Sequence, residues 1–128
     1  VTSAPTNVDY TVAGTTAPGR IGMSTAGSAG NWQINRTLTG TAPTNIDLGA
    51  SFAFNAAHLL EIVLFAKPND SAIYYRATNL STAAVATGNV TTNIPAATTF
   101  LSPLVHINNN AASTTTLDFV KQYLETDF

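Results

Sequence analysis

The chain has 128 residues, no cysteine and a formal net charge of −2, and only 9 % of its residues are charged. That length is one domain's worth and buries a core without metal or disulfide staples. The composition excludes disulfides and thiolate catalysis. It argues against nucleic acid, which needs clustered Lys and Arg to displace counterions. No apolar run approaches the roughly 18 residues of a membrane-spanning helix.

In place of charge stand Thr, Ala, Asn and Gly. Hydroxyls and amides keep such a surface soluble, and this mixture suits extended β-structure better than helix. The chain opens at Val1 without a methionine or a basic, apolar leader pattern, and Phe128 directly follows a strand-like segment. The expected context is therefore a C-terminal piece of a longer protein.

Residues 1–30 are rich in Thr, Ala, Gly and Pro, with a weak strand candidate at Asp9–Ala13. Ala17-Pro18-Gly19 and Gly27–Gly30 punctuate the stretch, which reads as a junction or linker, partly ordered at most. The folded domain is expected over 31–128. Its first strand is Asn31–Thr39, where Trp32, Ile34, Arg36 and Leu38 alternate with Gln33, Asn35, Thr37 and Thr39. That alternation predicts one buried face. Gly40–Asn45 is expected to turn the chain. Asp47–Phe52 reads as an irregular crossover anchored by Phe52 and Phe54, because Gly49 opposes a long regular strand.

The centre of the sequence is His58–Leu80. Two apolar runs, Leu59–Ala66 and Ala72–Ala77, flank Pro68-Asn69-Asp70-Ser71. Proline presets φ, and Asn and Asp bond back to their own backbone, so a tight reversal and a β-hairpin are predicted. In the first run Leu60, Ile62, Leu64 and Ala66 share one face, and Leu59, Glu61, Val63 and Phe65 share the other. A strand apolar on both faces belongs inside a structure or against a partner subunit. In the second run Ile73, Tyr75 and Ala77 oppose Tyr74, Arg76 and Thr78.

Beyond the hairpin, Ser81–Thr87 reads as a small-residue strand and Gly88–Ala97 as a loop. Thr98–Ile107 reads as an extended segment that Pro103 confines to an edge or bulge. Asn108-Asn109-Asn110 tolerates the positive φ of a hairpin turn. Thr114–Asp127 fits a helix through Leu117, Val120, Tyr123 and Leu124, and also fits a strand. The preceding threonines and the Asn turn favour the strand. Short strands at 8–12-residue spacing predict an all-β fold, an antiparallel β-sandwich or jelly roll.

Chemistry is sparse. His58 and His106 lack metal-ligand spacing, and the carboxylates are scattered. Glu61, inside an apolar strand, reads either as a buried acid paired with Arg76 across the hairpin or as a general acid of raised pKa. No nucleophile elbow or phosphate-cradling glycine loop is present. No catalytic residue, metal or cofactor is therefore expected. Four glycosylation sequons, at Asn35, Asn69, Asn79 and Asn89, are of a frequency that chance supplies in a chain so rich in Asn and Thr. Trp32, Tyr74, Tyr75 and Tyr123 are aromatics with a polar handle, suited to half-buried strand positions, subunit interfaces or the CH faces of sugars. Tyr74 and Tyr75 point to opposite faces, so at most one belongs to the core and the other must find a polar edge or a partner.

Asp47-Leu48-Gly49-Ala50-Ser51-Phe52, Ile73-Tyr74-Tyr75-Arg76, Thr98-Thr99-Phe100-Leu101-Ser102-Pro103 and Tyr123-Leu124-Glu125-Thr126-Asp127 together resemble the C-terminal domains of tailed-bacteriophage tail fibres and tailspikes, and of collagen-like phage fibres. The Asn108–Asn110 turn fits that pattern, and the resemblance spans 31–128. It implies a homotrimer at the distal end of a fibre in the virion that fixes the trimer, contacts the host surface during adsorption, or does both, and it transfers no catalytic or binding residue. The amide-rich turns and surplus aromatics point to host-surface polysaccharide as what the tip binds. The two-faced apolar strand independently asks for a neighbour. Candidate glycan or interface contacts are Trp32, Tyr74, Tyr75, Arg76, Asn108, Asn109 and Asn110. Three other readings stay open: a purely structural trimerisation cap, a head-fibre or capsid decoration domain, and a carbohydrate-binding module of a larger secreted enzyme.

Overall fold

The computed structural model describes residues 19–25, 30–38, 41–68, 70–96, 98–99, 101–105 and 116–125. Those residues form two antiparallel three-stranded sheets and a single 3-10 turn. The expected all-β class is what is observed. Described residues from 19 to 101 belong to one compact unit, and those from 102 onward to a second.

The first sheet has the order β1 (Arg20–Ser24), β2 (Gln33–Thr37), β3 (Thr44–Asp47). Strand β1 lies within the stretch read as a junction. Its register places Met23, Ile34 and Ile46 in one row, and Gly22, Asn35 and Asn45 in the next. Adjacent rows face opposite sides of a sheet. Ile34 is fully buried on the apolar side, but Asn35 and Thr37 are also buried on the other. The expectation of one buried face is corrected: β2 is covered on both. Part of that polar side is satisfied internally, while Ser24 Oγ and Gln33 Oε1 on the same side are buried without a hydrogen-bond partner. Arg20 Nε donates to Asn35 Oδ1 at 2.9 Å, and Asn35 Nδ2 donates to Asn45 Oδ1 at 2.6 Å.

Strand β3 begins at Thr44, inside the segment expected to be a turn. The reversal is tighter than its composition implies, closing with the Thr41 N–H on the Leu38 carbonyl at 3.1 Å. After β3 the crossover is irregular, as expected. Asp47 accepts from Asn31 Nδ2 and from the Gly49 N–H at 2.7 Å. Gly49 has φ of 83°, the left-handed region in which a Cβ is penalised. The chain then folds into the 3-10 turn Ala50–Phe52 and buries Phe52.

The second sheet has the order β4 (Leu60–Ala66), β5 (Ile73–Asn79), β6 (Ala84–Val90). The predicted hairpin is present, with Leu60 opposite Asn79 and Ala66 opposite Ile73. Its turn closes with the Asp70 N–H on the Lys67 carbonyl, Pro68 following Lys67. Ile62, Ala77 and Ala86 form a row on the covered side, and Val63, Arg76 and Thr87 one on the outer side. Strand β6 starts later than the expected Ser81–Thr87 and continues past Gly88. Leu80–Ala83 are consumed by the β5–β6 turn, which ends with Ala83 at φ 61°.

Several sequence expectations are revised. Glu61 is exposed and stands opposite Thr78, whereas Arg76 stands opposite Val63, so the buried cross-hairpin ion pair does not form. The described residues 98–99 and 101–105 belong to no strand. Residues 116–125, expected as a strand with a helix as the alternative, are neither. Their apolar side chains occupy both parities and are all exposed.

Candidate functional site

Three consecutive β5 positions of the second sheet, Tyr74, Tyr75 and Arg76, divide between its two faces. Tyr75 points to the covered side between Leu64 and Gly88. A Cβ at Gly88 would lie 2.5 Å from the Tyr75 hydroxyl oxygen, so the absent side chain is what gives the ring its space. Tyr74 and Arg76 point outward. Tyr74 stands opposite Phe65 on one side and Asn89 on the other, and Arg76 stands between Val63 and Thr87.

The hairpin turn completes the surroundings of Tyr74. Its hydroxyl donates to Asp70 Oδ2 at 3.2 Å, and the Lys67 ammonium lies 4.9 Å from its ring centroid, a cation–π contact. Beside the turn opens a cleft of about 770 Å³. Lys67, Asp70, Ser71, Thr91 and Thr99 supply its polar groups, and Ile73, Ile94, Pro95 and Leu101 its apolar walls. Hydroxyls, a carboxylate and an ammonium over an apolar floor are the groups that bind polyols.

Trp32 lies outside this cluster, immediately before β2. Its backbone N–H donates to the Phe52 carbonyl at 2.8 Å, and its backbone carbonyl accepts from the Leu48 N–H. Its ring stacks on Phe54 at 6.4 Å between centroids and 25° between planes. Thus Tyr74 and Arg76 share a face, Tyr75 faces away, and Trp32 belongs to a separate aromatic pair. Asn108, Asn109 and Asn110 lie outside the described residues.

The sequence reading missed Phe65, Lys67 and Asp70 as neighbours of Tyr74. The signal was the hairpin register, which sets Phe65 against Tyr74 once Ala66 faces Ile73. Two sequons are spent on structure: Asn35 and Asn79 are buried. Asn79 Nδ2 donates to the Ser51 carbonyl and lies 3.1 Å from His58 Nδ1, and its Oδ1 accepts from the Ser81 N–H. Among the described residues no group of three or more His, Asp or Glu side chains is placed to hold a metal ion. No family model, curated protein or solved structure matches the chain.

Proposed function

We propose that the chain is the distal tip domain of a bacteriophage tail fibre or tailspike. In this reading it is a homotrimeric β-sandwich or jelly roll that binds host-surface polysaccharide and breaks no bond. One observation supports assembly above all. Leu117, Phe119, Val120, Tyr123 and Leu124 are all exposed in the single chain, Val120 and Tyr123 at 75 %. They lie on a segment whose described residues enter no ladder. Apolar side chains left together in water on a stretch outside any sheet are what a subunit shows when its partners are removed. The fibre resemblance supplies the number three.

Sugar binding rests on the Tyr74 surroundings. A flat ring, the Arg76 guanidinium and the hydroxyl-lined cleft are the complement of a neutral or weakly charged glycan, and their placement needs little net charge. Single contacts of this kind are weak, and three copies on one fibre raise the effective strength by avidity. The test is competition: purified domain is added to susceptible bacteria before the parent phage. Labelling of cells and delayed adsorption are expected, with both reduced by Tyr74→Ala. Intact trimer that neither labels nor delays would leave the trimerisation cap as the function.

A further inference from the structure

Strand β4 is an edge of its sheet, and among the described residues no strand pairs with its outer side. Val63, Leu64, Phe65 and Ala66 are exposed in succession, so this half of the strand is uncovered on both faces. Edge strands are ordinarily guarded by proline, inward charge, bulges or shortness. Leu60–Ala66 has seven residues, no proline and unbroken register with β5.

The direction of its free backbone groups follows from the hydrogen bonding at its start. The Leu80 N–H donates to the Leu59 carbonyl at 2.9 Å, which makes that pair a hydrogen-bonded one. Antiparallel pairs alternate, so Glu61, Val63 and Phe65 bond to β5, while Leu60, Ile62, Leu64 and Ala66 turn their N–H and C=O outward. A second antiparallel β4 must meet these outward groups residue for residue. With Leu64 on the two-fold axis, Ile62 meets Ala66, Val63 meets Phe65 and Glu61 meets Lys67. Glu61 and Lys67 are the only charged residues from Leu59 to Lys67. Centring on Ile62 instead sets Glu61 against Val63, so only the Leu64 register joins the charges.

We propose that two copies of this chain pair antiparallel along β4, centred on Leu64, with two Glu61–Lys67 pairs closing the ends. The contact goes beyond the fibre-tip reading. It uses a surface other than residues 116–125, and with a trimer it joins trimers two by two.

The experiment is sedimentation velocity on the full chain, comparing wild type with Glu61→Lys, Lys67→Glu and the double exchange. All three leave the folded sheet intact, because both side chains are exposed. Each single reversal sets like charges opposite at two sites and is expected to weaken the two-fold step about tenfold, and the double exchange to restore it. A hexamer falling to a trimer supports both contacts, and a dimer falling to a monomer supports this one alone. A trimer or monomer indifferent to all three variants overturns it. Register is read separately by mixing Val63→Cys and Phe65→Cys proteins, since the wild type has no cysteine. A disulfide dimer is expected from the mixture, and from neither variant alone. Cross-linking of Val63→Cys with itself would overturn the Leu64 register.

Discussion

At the scale of single residues, buried amides carry more of this fold than its sparse apolar core suggests. Asn79 is 0 % exposed and links the Ser51 carbonyl, His58 and the start of the β5–β6 turn. Asn79→Ala removes all three and leaves the Ser51 carbonyl and Ser81 N–H unpaired. A loss of about 1–3 kcal/mol is expected, read as a lower urea midpoint at unchanged slope. A sequence of many asparagines gives no means of telling this one from its neighbours. Its partners come from the crossover and the turn, and only the fold brings those together. The same holds for Tyr74, whose alternation showed that it faces away from Tyr75. Its contacts with Asp70 and Lys67 depend on the turn geometry.

At the scale of elements, legibility followed periodicity. The β4–β5 hairpin was plain because both runs alternate and Pro68 marks the reversal. Strand β1 was hidden in a Gly- and Thr-rich stretch, and β3 behind a threonine-rich turn, because neither is long enough to show a period of its own. Both exist through pairing to β2. The run Leu59–Ala66, apolar on both faces, is partly covered only at Leu60 and Ile62 on the side shared with Ala77, and the side of Phe65 is open. Substitution separates them. Ala77→Asp places an unpaired charge at a fully buried position and is expected to abolish folding. Phe65→Asp, at a side chain 52 % exposed, is expected to keep the β-type circular dichroism spectrum while losing self-association. Unfolding of Phe65→Asp would place that ring in the core.

At the scale of the whole molecule, the described residues leave large hydrophobic side chains uncovered on β4, at Leu101 and Leu104, and along 116–125. A monomer rarely tolerates that much apolar surface in separate stretches. Replacing Tyr123 and Leu124 together by Ser removes two of the most exposed side chains. The single-chain fold should lose nothing by this, since neither is buried. Light scattering is expected to show a smaller assembly at the same concentration, with unfolding that becomes independent of concentration. An unchanged mass would mean that residues 116–125 are not where copies meet. Here the sequence said least. Periodicity reports which side chains want cover, and it carries no information about what covers them.

The hydrogen bonds that link Arg20, Asn35 and Asn45 across β1, β2 and β3 set a limit on misfolding. Because side chains alternate, sliding β2 by one residue would exchange the places of Ile34 and Asn35. An ordinary half-buried strand pays for such a slip only once, when its apolar side meets water. Here the slip is opposed twice, since it strands the Asn35 amide among Met23 and Ile46 and drives Ile34 between Gly22 and Asn45. A small domain assembled from short, low-charge strands has many near-equivalent pairings open to it. The part-buried hydrogen bonds of Asn35 make the native one distinct.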